Sequence, residues 1–369
     1  ARACAYRQTG LAAPCGVSAG VFLPTVFPTS RSARRRLLAS LAAAALPVPA
    51  RAQSSPRRWR IAHVMSFSSP WRWTDGQWRG FQEGLGSASI ESHVFAMDAR
   101  RHVTPAALAE RGRLARAFVE AVQPDLLYLS DDDAQTHVAQ HYAGTRLPIV
   151  FSGMNDVPAR HGLADAPNVT GVLEREHAVE TVRLLQALVP GVRRLLVLSG
   201  PGQYWDAVVA RVTAQLGRFE GLQSVVAART DTVEAYRQAV QNAPAQADAL
   251  LHLGILNLPG AAGEPVPYST VQQWVVEHSR MPDASFWIDR VHHGTLASVT
   301  VSELEQGREA GRLARAILKD GQAPDSLPIR PTTKGTPALN LARARALGLT
   351  VQSTQLLQSE VIRGYEWQR

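Results

Sequence analysis

The sequence predicts an α/β protein of two lobes, each a parallel sheet flanked by helices, with a cleft between them. Three observations carry this. Short apolar segments alternate with helical ones from Arg60 onward, the alternation restarts at Arg194, and polar residues cluster directly after the apolar segments. Continuous apolar strands between helices belong to parallel sheets covered on both faces. About 300 residues carrying two such series exceed one ordinary domain.

In the first series, Arg60 to Phe67 reads as strand and Asp75 to Gly86 as helix. Glu91 to Met97 follows as strand and Pro105 to Val122 as a long helix. Asp125 to Ser130 is a short strand, Ala134 to Tyr142 a helix and Pro148 to Ser152 a buried strand. The second series runs through strand Arg194 to Ser199, helix Ala207 to Leu216, strand Ser224 to Ala228, helix Val233 to Gln241 and strand Ala249 to Leu253. The expected division is an upstream segment to residue 52, a first lobe over 53–172, a second over 173–291, and a segment 292–369 that completes both.

The upstream segment reads as an export signal. Arg34 to Arg36 precede an apolar run from Leu37 to Leu46, and Ala50-Arg-Ala52 supplies small residues before a cut. The run is too short to span a bilayer, which takes roughly 20 residues. A buried helix is the competing reading, and the absence of any acid before residue 53 argues against it. Cleavage is expected after Ala52. Arg34-Arg35 with Leu37-Leu38 also fits a twin-arginine signal apart from Ala33, so both export routes stay open. Residues 1–30 read as lying upstream of the fold.

Cleavage changes the charge argument. The whole chain has 39 basic and 31 acidic residues, but seven arginines lie before residue 53, leaving 32 against 31. A nucleic-acid partner calls for a basic face, and the near-neutral body gives no support for one. Cys4 and Cys15 are the two cysteines and both precede the cut, so the body has no disulfide and no thiol nucleophile.

Parallel sheets place function at the carboxyl ends of their strands, and those positions are polar here. They hold Ser66 to Asp75, Ser130 to Asp133 and Ser152 to Asp156 in the first series, and Ser199 to Trp205, Gly254 to Asn257 and Phe286 to Asp289 in the second. Polar groups of these loops could fix a ligand while Trp71, Trp73, Trp205 or Trp287 cover its apolar part. Competing readings are that Ser130–Asp133 caps a helix, that Trp71 and Trp73 plug the lobe surface, and that Trp287 is core. His137 and His141 stand four apart on an expected helix, but no third ligand accompanies them, and neither metal nor cofactor is expected.

These motifs together resemble the substrate-binding proteins of ABC transporters with the type I periplasmic-binding-protein fold, in the branch that includes tryptophan and tyrosine binders and related sensor domains. The resemblance covers roughly residues 60–360. It rests on Pro124 to Ala134, Leu147 to Asp156, Asn168-Val-Thr-Gly-Val172, Gly307-Arg-Glu-Ala-Gly311 with Ala314 to Gly321, and Leu339-Asn340 with Ala344 to Leu349. Asn155-Asp-Val-Pro158 stands where the family often has Asp-Pro-Val, and Ser199-Gly-Pro-Gly202 and Gly254-Ile-Leu-Asn257 replace its usual second-lobe loops.

The resemblance implies a monomeric, periplasmic protein that closes on a small molecule by hinge bending and presents it to a membrane permease. The ligand would be an amino acid or an aromatic compound. Its contacts would come from Ser66, Trp71, Trp73, Asp131, Asp132, Ser152, Gly153 and Asn155 on one lobe, and Gln203, Trp205, Asn257 and Asp289 on the other. The chain would cross between lobes near Thr170–Glu174, near Asp289–Thr295, and again after Pro324. Two alternatives remain: a ligand-sensing partner of a membrane kinase, and a hydrolytic enzyme. The second lacks a P-loop, a Gly-x-Ser-x-Gly elbow and a His-Glu-x-x-His motif.

Overall fold

The computed structural model describes residues 58–87 and 89–368. The expected signal and its cut after Ala52 lie outside the described residues. Strands β1 (Trp59–Met65), β2 (Ile90–Ala96), β3 (Leu126–Ser130), β4 (Ile149–Met154) and β5 (Val169–Leu173) form one sheet. The second contains β6 (Arg194–Ser199), β7 (Ser224–Arg229) and β8 (Ala249–His252). After the small antiparallel pair β9 (Asn257–Pro259) and β10 (Pro265–Pro267), it continues with β11 (Asp283–Ala284) and β12 (Ala297–Thr300). The chain then returns to the first sheet with β13 (Arg330–Pro331) and ends in the second with β14 (Thr336–Asn340) and β15 (Glu360–Ile362). The orders are β13-β5-β4-β3-β1-β2 and β15-β14-β12-β11-β8-β6-β7.

Alternation along the strands explains why both faces are covered. In β1, Ala62 and Val64 join one core cluster while Ile61 joins another on the opposite face. In β6, Leu195 and Val197 face one cluster and Leu196 and Leu198 face the other. A strand buried on both sides has no polar face to show, and so it reads as a continuous apolar run.

The first sheet is parallel throughout. The second is mixed, because β14 runs antiparallel to β12. The cause is the path of the chain. After β12 it passes to the first lobe at Val301–Ser302, packs a helix there, and comes back at Thr332–Gly335. It therefore re-enters the second sheet from the end at which it left. A third connection is Glu174–His177. The second crossing thus lies beyond Asp289–Thr295, where the sequence placed it, since Ala297–Thr300 still pairs within the second sheet.

Helix boundaries also differ, and the helix expected over Ala207–Leu216 starts four residues earlier, at Gln203. The first helix spans Arg72–Leu85 and starts three residues earlier than expected; the Asp75 carboxylate accepts from the Trp71 backbone N–H at 3.1 Å and closes its first turn. The helix expected over Ala134–Tyr142 is Asp132–His137, followed by a separate 3₁₀ turn at Ala139–His141. His137 and His141 therefore do not share one helix face. Among the described residues no group of three or more His, Cys, Asp or Glu is placed to hold a metal, and no helix is long and apolar enough to cross a membrane.

The closest packing in the first lobe joins helix Arg72–Leu85 to helix Glu303–Leu318. Gly76, Gly80 and Gly84 recur every fourth residue on one helix, and Gly307 and Gly311 on the other. A methyl group at Gly80 would stand 2.1 Å from the Leu304 carbonyl oxygen, and one at Gly307 would stand 1.9 Å from that of Gln77. Backbone lies against backbone, and no side chain is available to move aside. Gly80→Ala and Gly307→Ala should each cost about 1–3 kcal/mol from overpacking and lower the melting temperature. Gly191→Ala, with no atom within 4 Å of the added methyl, should melt with the wild type. Thermal unfolding of the three variants checks this, and a Gly80→Ala protein of unchanged melting temperature would contradict the close contact.

Candidate functional site

The carboxyl ends of the two sheets face a cavity of about 50 Å³, well below the roughly 300–1,000 Å³ common for small-molecule sites. The space is therefore a slot between close walls. The first lobe contributes Phe67 after β1, Trp71 and Trp73 at the start of the next helix, Asp131 to Asp133 after β3, Asn155 after β4 and Glu174 after β5. The second contributes Trp205 after β6, Leu256 after β8, and Trp287, Asp289 and Arg290 after β11. Phe67 and Trp73 pack in the same apolar cluster as Trp205 and Trp287, so the two walls touch.

Asp131 organises the first wall. Its backbone has φ 68°, and its N–H donates to the Ser152 carbonyl. The carboxylate accepts from Trp73 Nε1 at 2.7 Å and from Gln77 Nε2 at 3.1 Å. Gly153, at φ 70°, makes room for it, since a methyl there would lie 2.5 Å from Asp131 Oδ1. Burial pushes the Asp131 carboxyl up to about 8, with the neighbouring Asp132 and Asp133 acting in the same sense and the indole and amide donors opposing it.

Asp132 is turned to the loop after β4. Its oxygens accept from the backbone N–H groups of Asn155 and Asp156 and from Asn155 Nδ2. That places Asn155 beside Glu174, to which Nδ2 also donates at 3.1 Å. Glu174 in turn accepts from Trp287 Nε1 at 2.6 Å, a bond that spans the two lobes. Burial holds the Glu174 carboxyl well above the usual range despite that donor, and Asp131, Glu176 and Asp132 add to the effect. Arg211 provides a second cross-lobe link. It pairs with Glu176 through two bonds of 2.9 and 2.8 Å and donates to the Asn155 carbonyl at 3.1 Å.

Three buried polar atoms of the lining residues have no hydrogen-bond partner: Asn155 Oδ1, Arg290 Nη1 and Trp71 Nε1. Buried polar groups are normally paired, and leaving one unpaired costs about 1–3 kcal/mol. Here one acceptor and two donors are unpaired around the same space. Arg290 is 3% exposed, and its guanidinium lies 4.0 Å over the Tyr268 ring.

Of the residues the sequence singled out, Trp71, Trp73, Asp131, Asp132, Asn155, Trp205 and Asp289 line the cavity. Ser66, Ser152 and Gly153 lie behind its wall. Ser66 Oγ donates to the Ser130 carbonyl and accepts from Ala134 N–H, and Ser152 Oγ bonds Tyr128 and Gln77. They tie strand ends together. The backbone at Gln203 and Asn257 is in place, but their side chains lie outside the described part. Phe67, Asp133, Glu174, Leu256 and Arg290 were not singled out, and Trp287, for which a core and a ligand-covering reading were both open, is wall as well as core. Glu174 carried a legible signal: it directly follows the apolar run Val169–Leu173.

Two α/β lobes joined by three connections, with a polar, aromatic-walled slot at their strand ends, define a two-lobed binding protein. The chain belongs to the ABC transporter substrate binding protein family, whose sequence profile matches residues 74–361. No curated protein matches the sequence significantly. Among solved structures, the fold is similar to that of an ABC domain from Streptococcus pneumonia in complex with L-Trp, at 20% identity and TM-score 0.65 over 83% of this chain and 100% of that one. It is similar to a conserved domain protein from Vibrio cholerae, at 18% identity and TM-score 0.64 over 83% and 100%. It is also similar to the ligand-free, open form of a substrate binding protein with adhesive properties from Clostridium difficile, at 16% identity and TM-score 0.63 over 83% and 99%.

The buried acids impose a pH dependence of definite sign. An unfolded aspartate titrates near 3.9, whereas folded Asp131 is pushed up to about 8. Between these values the folded state keeps a proton that the unfolded state has lost. The stability contribution is therefore present at low pH and lost as pH rises towards 8, and Glu174 acts in the same direction. The empty protein should melt at progressively lower temperature from pH 5 to pH 8, and Asp131→Asn should show a shallower decline. Parallel slopes for the two proteins would refute the assignment to Asp131.

Proposed function

We propose that the protein is an extracytoplasmic solute-binding protein that captures a small zwitterionic molecule, an amino acid or a related compound, and delivers it to an ABC permease. The observation that carries this reading is the set of three unpaired atoms around the slot: Asn155 Oδ1 can turn its negative end to a cationic group, and Arg290 Nη1 and Trp71 Nε1 can donate to a carboxylate. The aromatic walls would cover the apolar part of the ligand. The L-Trp complex of the similar Streptococcus fold is in keeping with this class of ligand. The family and the signal read at residues 31–52 support export to the periplasm.

Capture requires the slot to open. The three connections at Glu174–His177, Val301–Ser302 and Thr332–Gly335 are short, as hinges are, and Gly335 packs against His177 and Val299. The Trp287–Glu174 and Arg211–Asn155 bonds would break on opening and re-form on closure. Ligand favours the closed state to the extent that it satisfies groups left unpaired in the empty one.

Two measurements test this reading. A thermal-shift screen of amino acids and their derivatives, followed by calorimetric titration, should give at least one ligand. X-ray scattering at saturation should then show a smaller radius of gyration than that of the empty protein in its open state. Arg290→Gln should weaken a carboxylate-bearing ligand at least about tenfold, the order expected for loss of a charge-assisted bond. Absence of any ligand, with unchanged scattering, would overturn the reading.

A further inference from the structure

The way the carboxylates of the slot are already used bears on which cation it takes. The argument rests on the slot being the ligand site. Among the described lining residues there are five acids against one base, Arg290. Yet much of the acceptor capacity of Asp131, Asp132 and Glu174 is occupied by the protein itself. Asp131 accepts from Trp73 and Gln77, Asp132 holds Asn155 and Asp156, and Glu174 accepts from Trp287 and Asn155. These groups offer a ligand their negative field more than their lone pairs.

The same bonds act on the rings. Trp73 and Trp287 each pin the indole N–H on a buried carboxyl oxygen, and where an enclosed cation keeps that group ionised the donation makes the ring face more negative. Trp205 stands edge-on to Trp287 with centroids 5.5 Å apart, so the two rings form a corner. On the slot's own wall a cation already sits on an indole: the Arg100 guanidinium lies 4.7 Å from the centre of Trp71. A primary ammonium brings three N–H donors that each need an acceptor. A fully methylated ammonium brings none, and is held by aromatic faces and by charge. Burial raises the carboxyls of Asp131 and Glu174 in the empty slot, and an enclosed cation would relieve that.

We infer that the ligand's positive group is an N-methylated, quaternary ammonium, caged by Trp73, Trp205 and Trp287 and balanced by Asp131, Asp132 and Glu174, while its carboxylate meets Arg290. The class is a betaine-type zwitterion.

Calorimetric titration with two matched pairs tests this: L-tryptophan against its Nα,Nα,Nα-trimethyl derivative, and glycine against N,N,N-trimethylglycine. The methylated member should bind at least tenfold more tightly in one pair or both. Glu174→Gln keeps an acceptor for Trp287 Nε1 but removes the charge, and should cut that preference several-fold. Should this variant fail to fold, the paired comparison on the unaltered chain stands by itself. Equal or tighter binding of the unmethylated members would overturn the inference and leave the solute-binding reading intact. Another small molecule that binds and closes the lobes while both pairs fail would do the same. Failure of every small molecule in the screen, with unchanged scattering, would instead remove the solute-binding reading, and this inference with it.

Discussion

Backbone-to-backbone contact between helix Arg72–Leu85 and helix Glu303–Leu318 is the constraint on which the rest of the first lobe depends. It requires glycine at matched positions of two segments more than 200 residues apart in the chain. Gln77 lies in the middle of it, with its carbonyl against Gly307, and its side chain reaches Asp131 and Ser152. The helix that begins with Trp71 and Trp73 is thereby held at a fixed height over the sheet. One wall of the slot is thus positioned by a contact on the far side of the same helix. The contact also obliges the late chain to visit the first lobe, which gives three connections between the lobes.

The opposite influence is electrostatic. Asp131, Asp132 and Glu174 are gathered at strand ends and nearly removed from water. Burying charge is costly unless it is paired and hydrogen-bonded. Two of these acids are partnered by indole N–H groups and one by backbone amides; none of the three forms an ion pair with a lysine or arginine among the described residues. By contrast, Asp283, buried in the second lobe, is pushed up by desolvation but held below the usual range by Arg343 and His252 together. The slot is therefore a region where the fold accepts destabilisation, as ligand sites commonly do.

Much of this was legible in the sequence. Strands buried on both faces are continuous apolar runs, and Arg194–Ser199 stands where its residues place it; so does helix Pro105–Val122, with Pro105 in its first turn and Thr104 as N-cap. The start of helix Arg72–Leu85 was not legible. Its N-cap is Trp71, which offers no capping side chain, and the Asp75 carboxylate caps from within. The antiparallel β14 was hidden for another reason: strand direction depends on where the chain leaves and re-enters, and no local pattern records that. At the site, loop position selected seven wall residues, but polarity alone could not separate Asn155, which faces the slot, from Ser66 and Ser152, which stitch strands. Trp287 illustrates a further limit. Large apolar residues read as core, and this one is core and wall at once.

The three connections also have a consequence for how the protein comes to be folded. The first lobe is discontinuous: its sheet starts at Trp59, but the helix that covers Gly80 and Gly84 ends at Leu318, and its edge strand β13 is at Arg330–Pro331. A nascent chain displaying only the first 200 residues lacks the partner for the glycine face, so the N-terminal lobe cannot close its core until most of the polypeptide is available. Contacts of such long sequence separation form slowly. The first lobe therefore completes its core only after the helix Glu303–Leu318 has been made, and its folding follows that of the chain as a whole.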